Sequence, residues 1–170
     1  MSNNVRVIVG ALSLSAAALV GLVASEGYTE RAVIPTKGDV PTVGFGSTIH
    51  EDGRRVQLGD KTTPVNALQK ANAHITKEEQ RFRASLPGVS LTQGEYDVYM
   101  DFIYQYGPGA WSSSSMRRHL LAGQHQQACD ALLRYRFAGG YDCSTPGNKR
   151  CMGVWTRQQA RHKACIGAQP

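Results

Sequence analysis

Glu26 closes a long apolar run, and a polar, turn-rich stretch then leads to Thr42-Val43-Gly44-Phe45-Gly46, where glycines alternate. A carboxylate at the end of an apolar helix, facing a glycine-rich hairpin that brings an acid (Asp39) and a hydroxyl (Thr42), has the outline of a hydrolytic site. Hydrolysis of this kind needs a proton donor on one side of the scissile bond and a group that positions water on the other. Glycines in such a hairpin permit close approach of backbone or ligand. Residue types alone leave a second reading open, since a glutamate at a helix end is commonly a solvated charge.

The elements that must hold these residues follow from the rest of the chain. Its 170 residues suit one domain, or one domain with a targeting segment. A 41% hydrophobic content and a mean hydropathy of -0.33 fit a soluble globular protein. The net charge of +6 favours a polyanionic partner. The basic residues are scattered, and no nucleic-acid-binding motif occurs, so nucleic acid is not expected.

Val7 to Ser25 carries no charge and is only weakly apolar, being rich in Ala, Gly and Ser. It is just long enough to cross a bilayer as a helix. Arg6 and the amino terminus form its positive flank, which would stay cytoplasmic. Three readings compete: a signal peptide cut after Val23-Ala24-Ser25, a permanent anchor, or a marginal anchor that can leave the membrane and fold into the enzyme. Cleavage would strip Glu26 of the helix that holds it, and weak hydrophobicity argues against permanence. The division expected is residues 1–25 as the releasable anchor and 26–170 as the catalytic domain.

Downstream, Thr63-Pro64 opens a helix that runs to about Ser85. Thr92 and Glu95 form a capping box for an apolar helix that Gly107-Pro108-Gly109 breaks. Further helices are expected over Met116 to Ala122, Gln124 to Phe137 and Thr156 to Ile166. His50, His74, His119, His125 and His162 form no evident cluster and read as surface residues, while Trp111 and Trp155 read as core, with stacking on sugar as the alternative. The four cysteines, Cys129, Cys143, Cys151 and Cys165, allow three connectivities. Cys143 and Cys151 flank a turn-rich loop and are the natural local pair, leaving Cys129 with Cys165; in a reducing compartment all four would be free thiols. No metal or other cofactor is expected, because the cysteines lack metal-ligand spacing.

With the elements in order, the chain resembles the phage-type lysozymes of glycoside hydrolase family 24 from about Glu26 to Ile166. The likeness rests on Glu26-Gly27, Pro41-Thr42-Val43-Gly44-Phe45-Gly46, Tyr104-Gln105-Tyr106-Gly107, the span from Ser114 to Gly123, Ala138-Gly139-Gly140, and Gly153 to Arg157. It extends to the subgroup whose weakly apolar N-terminus first tethers the enzyme and then leaves the membrane. Cysteines placed like Cys129 and Cys165 occur in that subgroup. The resemblance implies an α+β, mostly helical, two-lobed fold with a small β element in the N-terminal lobe and a long helix between lobes. It implies hydrolysis of the β-1,4 bond between N-acetylmuramic acid and N-acetylglucosamine in peptidoglycan, by a monomer. Glu26 would be the general acid, Thr42 would help position water, and Gln105, Gly46 and Ser47 would contact substrate.

The departure from the family is the second carboxylate. Counting forward from Glu26 by the family spacing lands on Pro35, and counting back from Thr42 lands on Thr36. Asp39, in the expanded loop, is assigned the water-positioning role, with Thr36 as the alternative. Other readings are a non-hydrolytic transglycosylase that needs only Glu26, and a membrane-anchored wall-binding protein without activity. The resemblance also implies a control scheme. The chain would sit in the inner membrane through residues 7–25, inactive because Glu26 is pinned at the interface. Release to the periplasm would be triggered by a pore-forming holin, and Val7 to Ser25 would then refold as the enzyme's first helix. No cysteine precedes Cys129, so a thiol in the anchor has no place in this scheme.

Overall fold

A computed structural model describes residues 4–36, 38–50 and 52–170. The chain forms two compact units, one of residues 15–80 and one of residues 1–14 with 81–170.

The 15–80 unit begins with α1 (Ala16–Glu26). The Ser15 side chain caps it by accepting the Ala18 N–H at 3.1 Å, and Gly27 ends it with φ 70°. The helix is therefore shorter than the Val7–Ser25 run that apolarity suggests. Val7–Ile8 are instead a strand, β1, and Val9–Ala11 a single 3₁₀ turn. Apolarity marks the run without fixing its conformation; Ser15 decides where the helix starts. Leu22 is the only buried residue of α1, and Val20 is 64% exposed. Among the described residues no helix is long and apolar enough to cross a membrane.

After Gly27 the chain forms β2 (Thr29–Val33), antiparallel to β3 (Thr42–Gly44). This strand lies where the sequence reads as loop, because Thr29-Glu30-Arg31 is polar throughout and Ala32 is the single buried residue of the strand. Ala32, Val43 and Val56 make a small apolar cluster. The following loop is tied down by Asp60, whose carboxylate accepts from the Gln57 N–H (2.8 Å), His50 (2.7 Å) and Arg54 (3.1 Å). The Gln57 amide and the His50 contact hold the Asp60 carboxyl well below the usual range. The long helix α2 (Pro64–Ala84) starts in this unit and ends in the other, close to the expected Thr63–Ser85. The Thr63 hydroxyl accepts the Asn66 N–H at 3.2 Å, and Pro64 takes the first helical position, where no N–H is needed.

The second unit is mainly helical. Its centre is α3 (Gln93–Ser112), which buries Tyr96, Tyr99, Phe102, Ile103 and Trp111. The helix is interrupted at Gly107 (φ 81°), ahead of Pro108, as the Gly-Pro-Gly signal predicts. Phe82 packs edge-on against Tyr96 and Trp111 with ring centroids 5.1 and 5.0 Å apart, and the Trp111 indole donates to Ser85 Oγ at 2.9 Å. A short strand, β4 (Ser90–Leu91), pairs antiparallel with β1.

Three more helices follow: α4 (Ser115–Leu121), α5 (His125–Ala131) and α6 (Met152–Gly167). The expected helix to Phe137 stops at Ala131 and continues as a 3₁₀ turn to Arg134. Phe137–Ala138 (β5) and Tyr141–Asp142 (β6) then form a tight hairpin around Gly139-Gly140, both at positive φ. Both disulfides take the arrangement favoured on the sequence: Cys129–Cys165 with Cα atoms 5.6 Å apart, and Cys143–Cys151 with Cα atoms 5.1 Å apart.

Candidate active site

Glu26 is the last residue of α1 and is exposed. The C-terminal end of a helix carries partial negative charge, so a carboxylate there adds nothing to helix stability. What it faces is the turn after β3. Val43 and Ser47 exchange two backbone hydrogen bonds of 3.0 Å, which close a turn over Gly44-Phe45-Gly46. A Cβ at Gly46 would lie 3.4 Å from Glu26 Oε2, and the residue has φ 76°. Glycine here thus admits both the backbone conformation and the carboxylate. Gly44 answers to a different need: a Cβ there would meet the Ala67 Cβ at 2.8 Å, so its absence lets β3 seat against α2.

Two aromatic residues bracket this contact. Tyr28 lies just beyond Glu26 and Phe45 just before Gly46, with ring centroids 5.5 Å apart. The Tyr28 hydroxyl donates to the Thr62 carbonyl at 3.0 Å. This pair couples the exit of α1 to the glycine turn and was not singled out from the sequence. Its only signal there is an aromatic residue on each side of the two site residues, which is too common to stand out.

Thr42 begins β3 opposite Val33, and its hydroxyl is 3.5 Å from the Val33 carbonyl oxygen. Asp39 lies in the exposed loop before it. Its N–H donates to the Thr36 carbonyl at 2.9 Å, and its carboxylate accepts the Val40 N–H at 2.8 Å. Asp39 therefore shapes its own turn, in the way short acidic side chains do. Pro35, at the place the family spacing gives the second carboxylate, offers no polar side-chain group. Ser47 faces a polar cavity of about 430 Å3 that also takes in His50, Arg54, Lys61 and Asn66. Glu26 and Thr42 do not line that cavity.

Gln105 belongs to the other unit, on α3. Its Oε1 is buried with no hydrogen-bond partner among the described residues, whereas the neighbouring Tyr106 hydroxyl is held by Gln158 Nε2 at 2.7 Å. Burying an amide oxygen unpaired is costly, which suits a residue whose partner arrives with a ligand. Of the six residues assigned to the site, Glu26 and Gly46 are in direct proximity. Thr42 and Asp39 lie on the same hairpin and its loop, Ser47 faces the neighbouring cavity, and Gln105 stands on a separate unit.

Of the histidines read as surface, His125 is a correction. It lies 3.2 Å from the fully buried carboxylate of Glu95. Desolvation lowers its pKa below the ordinary histidine value despite the attraction of Glu95.

An α+β fold of mostly helical character, with a carboxylate at the end of its first helix against a glycine turn, is that of a lysozyme-type glycosidase. The sequence model of the phage lysozyme family matches residues 23–161, and the chain belongs to that family. It is 29% identical over 128 residues to an endolysin of Salmonella phage P22, covering 75% of this chain and 86% of that protein. It is 24% identical over 161 residues to a SAR-endolysin of Enterobacteria phage PA-2, covering 94% and 90% of the two chains. Among solved structures, the endolysin from Escherichia coli O157:H7 phage FAHEc1 superposes with a TM-score of 0.76 at 23% identity, over 94% of this chain and 97% of that one. The chain is thus a phage lysozyme, a glycoside hydrolase of endolysin type.

Proposed function

We propose that the chain cleaves the β-1,4 bond between N-acetylmuramic acid and N-acetylglucosamine in peptidoglycan, with Glu26 as the general acid. The observation that carries this is Glu26 at the end of α1, against the Gly46 turn, in a chain that matches the phage lysozyme model from residue 23. Glu26 protonates the leaving oxygen; Thr42, with Asp39 on the adjoining loop, positions water on the opposite face. Gly46 leaves room for the sugar backbone, and Gln105 and Ser47 take up sugar or stem-peptide polar groups.

The chain acts first as a tethered precursor, held in the inner membrane by residues 7–25 with Arg6 on the cytoplasmic side. It becomes an active periplasmic monomer after a holin collapses the membrane potential. The uncharged, weakly apolar stretch Val7 to Ser25, with Arg6 just ahead of it, supports this reading. The relative from phage PA-2 carries the SAR-endolysin name.

A second reading keeps Glu26 but dispenses with water: a transglycosylase that closes the muramic acid onto itself. The Asp39 carboxylate, engaged with its own loop, favours it. Digestion of purified peptidoglycan by the wild-type protein and by Glu26→Gln tests both. New reducing ends that vanish with Glu26→Gln support the hydrolase. Anhydro sugars that vanish with it support the transglycosylase. Full lysis by Glu26→Gln overturns both.

A further inference from the structure

Glu95 lies at N3 of α3 with its side chain entirely buried. As the acid of the capping box it accepts the Thr92 N–H at 2.7 Å, and the Thr92 hydroxyl accepts the Glu95 N–H at 3.1 Å. A capping box satisfies helix-end amides and does not by itself call for a cation. Yet this carboxylate is met by the Arg6 guanidinium through both oxygens, at 3.1 and 3.0 Å, and by Gln169 Nε2 at 2.8 Å. An ionised carboxylate with no solvent access must be paired to be tolerable.

Arg6 does not come alone. Asn4 Nδ2 donates to the carbonyls of Gly167 and Gln169, both at 3.2 Å. Val7 pairs with Leu91 and Ile8 with Ser90. The Val9 N–H donates to the Val89 carbonyl at 2.9 Å, and the Val9 side chain is buried. Arg83 and Gln93 then bind the carbonyls of Leu12 and Ser13, at 2.9 and 2.8 Å. Every contact partner here belongs to the 81–170 part of the chain. Main-chain pairing, a buried apolar side chain and a two-oxygen ion pair, over so short a stretch, are the features of a recognition site for an extended peptide.

We infer that the β4 edge, Glu95 and the C-terminal residues Gly167 to Gln169 form a receptor for one ligand, the chain's own segment Asn4–Val9, and that membrane exit is completed by its docking there. This rests on the tethered-precursor reading. Arg6 is the topogenic cation while the segment is in the bilayer, and the counter-charge of Glu95 once it is out. In the tethered chain the two charges are on opposite sides of the membrane, and Glu95 keeps the His125 imidazole 3.2 Å away but lacks the guanidinium that meets both its oxygens. Withdrawal of the marginally apolar segment from lipid is offset by pairing that carboxylate, and the balance of tethered and released chain follows the difference between the two. A chain drawn only partly outward, with residue 6 still inside, gains none of it.

The test uses the full-length protein with Arg6→Lys and Glu95→Gln, singly and together. Lysine keeps the cytoplasmic charge but not the two-oxygen fork. Cells expressing each chain are fractionated before and after the membrane potential is collapsed. The wild-type chain should move to the soluble fraction, and the ratio of membrane-bound to soluble chain should rise at least about tenfold with either single change and little further with both. Wild-type chain that moves while Glu95→Gln and Arg6→Lys move equally well overturns the receptor and leaves tethering intact. Wild-type chain never found in the membrane overturns the tethering, and the receptor's role in exit with it. Urea unfolding of the released proteins gives the second readout: single changes that fail to couple, adding independently in the double variant, count against the docked pair.

Discussion

Glu26 and Glu95 are the same side chain used in opposite ways. Glu26 closes a helix at the end where a carboxylate is least welcome, stands exposed, and touches a turn made of glycine. Glu95 opens a helix at the end where an acid is favoured, is wholly buried, and is bound by Arg6, Gln169 and the Thr92 amide. The fold surrounds Glu95 with donors and leaves Glu26 exposed beside the Gly46 turn, as the proposed acid requires. A carboxylate kept where it does not help the helix is the one we propose for chemical work; a carboxylate with its lone pairs satisfied holds the fold together.

The contrast is broken most directly by exchanging losses. Glu26→Gln should lower muralytic turnover about a thousandfold. Its urea midpoint should stay within the equivalent of about 0.5 kcal/mol of wild type. Glu95→Ala should do the reverse, losing about 3–5 kcal/mol of stability while turnover per folded molecule is kept. An activity loss with Glu95→Ala as deep as that with Glu26→Gln would erase the distinction.

The disulfides sharpen it next. Cys129–Cys165 adjoins the Glu95 cluster, with Gln169 Nε2 3.3 Å from Cys129 Sγ and the Tyr99 hydroxyl 3.4 Å from Cys165 Sγ. Its sequence separation is 36, against 8 for Cys143–Cys151. Loop-closure entropy alone gives about 4 kcal/mol for the first and about 2.5 for the second. Paired Cys→Ser variants, compared by thermal unfolding, should keep that order.

On the catalytic side, Asp39→Asn should reduce turnover about a hundredfold and Thr36→Ala by no more than about threefold. The opposite ranking would move the water-positioning role to Thr36. The smallest effect expected is on the acid limb of stability. Burial works to raise the Glu95 pKa, but the Arg6, Thr92 and Gln169 hydrogen bonds outweigh it and leave it below the ordinary value; His125 is also lowered, by desolvation. For both groups the unfolded chain binds more protons than the folded one, so stability is full above the unfolded pKa values and falls as pH drops through about 6.5 for His125 and about 4.3 for Glu95. Glu95→Gln should flatten the lower part of that decline in pH-dependent urea midpoints.

Much of this was legible in local signals. Thr63-Pro64 marked α2, Thr92 with Glu95 marked the start of α3, and Gly107-Pro108 marked its break. Glu26, Thr42 and Gly46 were visible as a carboxylate and a glycine hairpin, and the hairpin and the carboxylate do meet at Gly46. The strand β2 was not legible, because Thr29-Glu30-Arg31 buries too little to show alternation. The β5–β6 hairpin was hidden because its two glycines also read as a helix stop. The second role of Glu95 had no local signature at all: Arg6 is 89 residues away and Gln169 is 74. For the same reason Val7–Ile8 looked like more of an apolar helix, when their strand partner lies at Ser90–Leu91.

The contacts of Asn4 with the carbonyls of Gly167 and Gln169 span 163 and 165 residues. Long-range closure is the slow class of folding event. The pairing of Val7–Ile8 with Ser90–Leu91 needs only the middle of the chain, whereas Asn4 and Arg6 need Gly167 and Gln169 as well. Folding of this unit therefore closes like a zip with a separate clasp: the strand can seat first, and the polar contacts at its outer end lock it only when the end of α6 is in place.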